Sequence, residues 1–419
     1  MTPAGAPAPK DAARTVALVH YAAPPVIGGV ERVLARQAQL IADADHAVRV
    51  VAGRGEALDP WVAFHEIALI DPRHPTITRL QQALDTGEVP ADFESVTSEL
   101  ADELGAALAG VDVVIAHNVC SLNLNLALTA ALRQLLDRPP PPRMILWHHD
   151  LAWASAAHAS RLHAGLPWDL LRTGWPEAVQ VVVSEARRRE LAALSGLPVE
   201  SIRVIPNGID TQAMLKLEPE TSALFARGDV AAANPLLLMP SRVTARKNIE
   251  LGLRTVAEMR RAGHPAGLIV TGPADPHQAS GRAYMDLLHE LRQSLGLDGS
   301  AWFLSEEYGA PPSDAEISDL YRLADFLFVP SRDEGFGLPI LEAAAARLPI
   351  VCTDLPSLRE LAGDAALYIG PDDDPVDVAT RVLEWFESDR VTLLARRVRT
   401  RHSWEALYRD QIAPLLAAD

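Results

Sequence analysis

Two short stretches, nearly ninety residues apart, hold the residue types from which chemistry could be built. The first, Ser241-Arg242-Val243-Thr244-Ala245-Arg246-Lys247-Asn248, places Arg242 and Lys247 where the apolar run 235–240 gives way to a helical pattern. The second, Asp333-Glu334-Gly335-Phe336-Gly337-Leu338-Pro339-Ile340-Leu341-Glu342-Ala343, has the Glu334 carboxylate on a glycine-flanked loop and Glu342 just inside the next helix. Pro339 suits the first turn of that helix. Cations beside a helix start suit a diphosphate, and carboxylates accept hydrogen bonds from hydroxyls. The combination fits a sugar carried on a nucleoside diphosphate. Lysine usage sharpens this: only Lys10, Lys216 and Lys247 occur against thirty-five arginines. An ammonium at 247 suggests a point charge on a phosphate oxygen.

Further candidates end other apolar runs. Gly28-Gly29 follows the first run and opens a helix, where backbone can approach a ligand and free N–H groups favour phosphate. The spacing is not G-x-G-x-x-G, so a dinucleotide site is poorly supported. His148-His149-Asp150 ends a strand. Adjacent side chains on an extended segment point to opposite faces, so one imidazole is expected to face a ligand and a metal site is not. His117-Asn118, at another strand end, could contact an acceptor. Asp372-Asp373-Asp374 reads as helix capping, which leaves no carboxylate pair as a metal cradle.

The elements that must position these residues repeat as strand, loop and amphipathic helix. Strands are expected at 15–20, 48–52, 112–116, 144–147 and 179–183, then at 236–239, 267–270, 301–304, 325–329 and 350–353. Helices are expected at 30–41, 122–135 and 185–194, with two more in 75–108 broken by Gly87 and Pro90. Short apolar strands alternating with helices predict parallel sheets covered on both faces. The fold class is therefore α/β, with two doubly wound, Rossmann-like domains facing an interdomain cleft. The seam falls after Val204-Ile205-Pro206-Asn207-Gly208-Ile209-Asp210. The expected layout is a disordered tail at 1–14, an acceptor domain at 15–208 and a donor domain at 209–402. A terminal helix at 403–419 is expected to cross back. In such sheets ligands bind beyond the carboxyl ends of the strands.

Composition sets the remaining bounds. A net charge of −17 over 419 residues argues against nucleic acid or an anionic bilayer as the main partner. Absence of a long apolar run predicts a cytoplasmic chain. Cys120 and Cys352 read as reduced core thiols. The basic clusters Arg187-Arg188-Arg189 and Arg396-Arg397-Val398-Arg399-Thr400-Arg401 read as solvated helix faces.

Taken together, these motifs resemble the retaining glycosyltransferases of family 4, with the GT-B fold. The resemblance rests on the Gly28-Gly29 loop, His149-Asp150, the segment 204–210, Ser241-Arg242 with Lys247-Asn248, and Glu334 through Ala343. Leu320-Tyr321-Arg322-Leu323-Ala324-Asp325 and Val329-Pro330-Ser331 also fit. It implies that Arg242 and Lys247 hold the donor diphosphate, with Ser241, Gly28 and Gly29 nearby. Glu334 would contact the transferred sugar, followed by Gly335, Phe336, Gly337 and Leu338 around the donor. Glu342 would hold the ribose, and Ser305 and Tyr308 would lie near the base. His149 would lie against the sugar, with His148 as second choice; His117, Asn118, His148 and Asp150 are the acceptor-side candidates. Retention would come from front-face attack in which the leaving phosphate helps deprotonate the acceptor, after domain closure has excluded water.

The missing carboxylate pair predicts catalysis without a required metal, side-chain cations taking its place, and the expected substrate is UDP- or GDP-hexose with no cofactor. The helices in 75–108 carry seven acids against Arg79. Stable membrane association is therefore not expected, and a soluble acceptor, a sugar or sugar acid, is. Glucose or mannose is the favoured hexose; the base, the acceptor, the linkage and the oligomeric state are left open. Competing readings are a nucleotide-sugar epimerase of the same fold and a non-catalytic nucleotide-sugar-binding protein. A PLP-dependent phosphorylase is a weaker rival, given three lysines.

Overall fold

The structure, a computed structural model, describes residues 13–139, 141–273 and 279–418. The expected tail lies largely outside the described residues. The chain forms two compact units, 1–208 with 404–419, and 209–403.

In the first unit seven strands form one parallel sheet. They are β1 (Thr15–His20), β2 (Ala47–Ala52), β3 (Val62–Glu66), β4 (Val113–His117), β5 (Arg143–His148), β6 (Val179–Val182) and β7 (Ile202–Val204). Their order is β3-β2-β1-β4-β5-β6-β7, so the order reverses between β1 and β4. Alternation assigns the central strands to two cores: in β1, Val16 and Leu18 pack on one face, Ala17 and Val19 on the other. Neither face is exposed, which is why these strands read as apolar runs.

The second unit has six parallel strands: β8 (Leu236–Met239), β9 (Gly267–Val270), β10 (Ala301–Phe303), β11 (Phe326–Val329), β12 (Ile350–Thr353) and β13 (Ala366–Ile369). Their order is β10-β9-β8-β11-β12-β13. Two Rossmann-like parallel sheets are the expected fold class.

Several expectations need correction. The strands β3, β7 and β13 are all at sheet edges; β3 and β7 mix polar with apolar residues, and β13 is only half-buried, so none reads as a buried run. The helix expected at 122–135 begins at Leu126, because the Asn125 side chain accepts from Leu128 N. The same amide donates to Leu69 O and Ile70 O, pinning the helix start to the chain after β3. The terminal helix is broken by a π-helical turn at Tyr408–Ile412. Trp404, Leu407, Ile412 and Leu415 nonetheless bury against β1 and β5 residues of the first unit. Arg399 leaves the solvated face assigned to its cluster: its half-buried guanidinium pairs with the buried Asp325 Oδ2 at 2.8 Å. Asp374 caps Pro375–Ser388 by accepting from Val376 N.

Candidate functional site

In the first unit, histidines end three neighbouring strands: His20 on β1, His117 on β4 and His148 on β5. They sit at the carboxyl edge beside the reversal of strand order, where open α/β sheets bind ligands. His148 turns inward, its Nε2 2.8 Å from Gln180 Oε1. Gln180 spends its amide N–H groups on Trp175 O and Ala178 O, so its oxygen accepts and His148 carries its proton on Nε2. The buried His148 Nδ1 has no hydrogen-bond partner among the described residues. Protonating it would bury an unpaired N–H, and burial lowers the pKa to about 4.

His149 follows the strand and is 8% exposed. Its Nε2 lies 3.3 Å from His117 Nδ1, and its Nδ1 lies 3.5 Å from Asn207 Nδ2. Burial, then the nearby His20 and His148, push its pKa down to about 3. His149 is therefore a neutral hydrogen-bonding ring at ordinary pH. The Asn207 contact is at the limit of hydrogen-bond length and is the one a ligand hydroxyl could exchange. His117 is fully buried, its pKa held well below the usual histidine value by burial and by its two histidine neighbours.

Asn118 adopts the left-handed conformation, φ 59°. Its Oδ1 accepts from His149 N at 2.7 Å and Asp150 N at 3.1 Å, so this buried amide fixes the loop that carries His149. Asp150 is exposed and lies 3.5 Å from Arg187. The Gly28-Gly29 pair does not need positive φ: Gly28 is extended at φ −166°. A Cβ at Gly28 would meet Glu31 Oε2 at 2.0 Å, while Gly29 has open space. The Glu31 carboxylate therefore lies over the helix start where an anion was expected.

A cavity of about 400 Å³ lies in this unit. Gly29, Asn118 and Asp150 line it among the residues singled out from sequence; Gly28, His117, His148 and His149 do not. His20 and Tyr21 also line it and were missed. A histidine ending the first apolar run was the signal for His20.

In the second unit the two distant stretches meet. Lys247 Nζ pairs with Glu334 Oε2, both side chains 12% exposed. The backbone is stitched beneath them: Arg332 N donates to Arg246 O at 2.8 Å, and Asn248 Nδ2 donates to Pro330 O and Pro371 O. Asn248, at φ 54°, makes the turn into the helix Ile249–Arg261. Arg246, missed from sequence, donates to Asp333 O and lies 4.0 Å from Glu334 Oε1. Arg242 is exposed. Its backbone and Ser241 O press on Gly272, where a Cβ would sit 2.4 Å from Ser241 O. The Ser241 hydroxyl is buried with no hydrogen-bond partner among the described residues.

Gly337 caps the helix Leu338–Ala346 at φ 99°, a conformation that favours glycine. Ser357 Oγ donates to Glu334 O at 2.6 Å, fixing the loop. Gly335, Phe336 and Leu338 are exposed. Glu342 is exposed and accepts from Tyr321 OH at 2.5 Å. Ser305 Oγ donates to Thr271 O at 2.6 Å, tying the short helix Leu304–Glu307 to the residue after β9. Tyr308 is half-exposed; burial, then Glu316 and Glu307, raise its pKa to about 12. Among the described residues no group of three or more His, Cys, Asp or Glu side chains gathers to hold a metal ion. No helix there is long and apolar enough to cross a membrane.

Residues 27–213 match the family described as Glycosyltransferase Family 4, and 234–388 the family described as Glycosyl transferases group 1. A D-inositol 3-phosphate glycosyltransferase of Kineococcus radiotolerans is 34% identical over 43% of this chain and 40% of its own length. The chain thus spans less than half of that relative. A mannosylglucosylglycerate synthase of Thermotoga maritima is 25% identical over 80% of this chain and 79% of its own. A solved glycosyltransferase from Rickettsia africae is 16% identical, with TM-score 0.37 over 96% of this chain and 98% of that one.

Proposed function

The chain belongs to the family 4, group 1 glycosyltransferases, and from that premise we propose that it is a retaining, metal-independent hexosyltransferase. It moves glucose or mannose from UDP- or GDP-hexose to a hydroxyl of a small, polar, soluble acceptor. It works in the cytoplasm without stable membrane association.

The carrying observation is the Lys247–Glu334 pair. It supplies, in one contact, a cation for a diphosphate and a carboxylate for sugar hydroxyls. On donor binding, the phosphate takes the place of Glu334 beside Lys247, and exposed Arg242 adds the second positive charge. The freed Glu334 turns to the sugar. Negative charge grows on the departing phosphate in the transition state, and two preplaced cations stabilise it by a few kcal/mol. They supply the charge that a divalent ion would otherwise provide. Glu342 exchanges its Tyr321 hydroxyl for ribose hydroxyls, and His149 exchanges Asn207 for a sugar hydroxyl. The relatives' names, a glycosyltransferase of D-inositol 3-phosphate and a mannosylglucosylglycerate synthase, support a small polyhydroxylated acceptor.

The test incubates UDP- and GDP-hexoses with and without candidate acceptors, in excess EDTA, and assigns the product anomer by NMR. Product with the donor's anomeric configuration is expected. An inverted product, or activity abolished by EDTA and restored by a divalent ion, would overturn the mechanism. A new sugar nucleotide formed without acceptor would favour epimerisation. Nucleotide binding without any turnover would favour a binding protein.

A further inference from the structure

The cavity of the first unit carries charges that the donor chemistry does not use. Asp71 accepts from Arg54 Nη1 at 2.8 and 2.9 Å and from the backbone N of Arg73 at 2.9 Å. One carboxylate thus places both arginines but neutralises only Arg54, and through a single nitrogen. Arg54 keeps Nε and Nη2 outside that pair. Arg73 is exposed, and its guanidinium has no ion pair among the described residues. All three line the cavity.

The arrangement is built by the backbone. A Cβ at Gly53 would lie 2.0 Å from Asp71 N, so only glycine lets the loop after β2 close on the segment after β3. Ala23 N donates to Arg54 O at 2.8 Å and ties the same loop to the chain after β1. On this wall two arginines stand against one carboxylate; the other carboxylates of the lining are Glu31 and Asp150, and Asp150 lies 3.5 Å from Arg187, outside the lining. Another part of the lining is of a different kind: Glu31 with His20, 3.9 Å apart. Those groups accept or exchange hydrogen bonds with hydroxyls. A neutral sugar would leave Arg73 unpaired, and a ligand that is anionic throughout would meet Glu31. A polyol with one anionic group matches both.

We propose that this cavity binds the oxyanion of a small polyhydroxylated acceptor, a phosphate or a carboxylate, with Arg73 and Arg54 as its cationic contacts. The inference rests on reading the chain as a transferase, yet it concerns binding and is tested without turnover. Guanidinium forks suit both oxyanions, and Arg73 is free to engage one bidentately.

Calorimetry on the full chain, at fixed ionic strength, compares glucose, glucuronate and glucose 6-phosphate as probes. Binding of at least one anionic probe about tenfold tighter than glucose is expected, and the stronger of the two identifies phosphate or carboxylate. Arg73→Gln should remove that preference, and Arg73→Lys should keep part of it. Lys247→Ala should leave it intact, which separates this cavity from the donor residues. Equal affinity for all three probes would overturn the proposal. So would a preference that survives Arg73→Gln or vanishes with Lys247→Ala. Circular dichroism melts of Arg73→Gln should match wild type, since among the described residues its guanidinium has no hydrogen-bond or ion-pair partner. Failure of the transferase reading would show as absent turnover with the anion preference unchanged.

Discussion

Replacing Asn118 tests how the first unit holds His149. The side chain accepts from two successive backbone amides, His149 N at 2.7 Å and Asp150 N at 3.1 Å. It does so from a left-handed residue that is 2% exposed. Asn118→Ala strands both amides and places an alanine where φ is 59°. Orphaning the amides costs about 2 kcal/mol at the low end, and alanine in the left-handed region about 1 more. The sum, about 3 kcal/mol, corresponds to a melting shift of roughly 6–12 °C for a unit of this size. Asn118→Gly removes the backbone strain alone and should recover about 1 kcal/mol. Asn118→Asp keeps the accepting oxygen and should be the mildest of the three. The assay is a thermal melt alongside initial rates with saturating donor. Turnover should fall in the same order, Ala worst and Asp least, with donor KM little changed. Melting of the Ala and Gly variants within 2 °C of wild type would refute the assigned role.

Other expectations follow from the same geometry. Lys247→Ala and Glu334→Ala should each cost at least about a hundredfold in rate. Each single change strands a mostly buried charge, so Lys247→Met with Glu334→Gln should melt above either single variant yet remain inactive; recovered activity in the double variant would count against the donor assignment. His148, with a folded pKa of about 4 against about 6.5 unfolded, binds its proton more readily in the unfolded chain. Its contribution is complete above pH 6.5 and fades as pH falls towards 4, by about 2 kcal/mol at pH 5. Melts from pH 7.5 to 5 should therefore decline less steeply for His148→Gln than for wild type, and parallel curves would dismiss the idea. Gly337→Ala meets both φ 99° and Leu358 Cδ2 at 2.5 Å. It should cost about 2 kcal/mol and lower turnover by displacing the Glu334 loop, read by melting and initial rate.

Legibility in the sequence followed burial. Core strands such as β1 and β4 are apolar at nearly every position, because both faces are covered. Edge strands such as β3 and β7 carry no such pattern. The meeting of Lys247 with Glu334 was readable because lysine is scarce and the glycine-flanked loop is distinctive. What the sequence could not reveal was where polar side chains point. His148 looks like His149 in the sequence, but strand alternation sends it to Gln180 in the interior. Asn118, a ligand-contact candidate in the sequence, lines the cavity and also clasps the backbone of the His149 loop. Arg54, Asp71 and Arg73 carry no local motif, and only the parallel pairing of β2 with β3 brings them together.

The return of the terminal segment has a consequence for synthesis. Trp404, Leu407, Ile412 and Leu415 belong to the same core as Val16 and Leu18, laid down nearly four hundred residues earlier. During translation the first unit must wait, its apolar seam open, until the second has emerged from the ribosome. The unit made first is thus the one completed last, and a chaperone would find its substrate there.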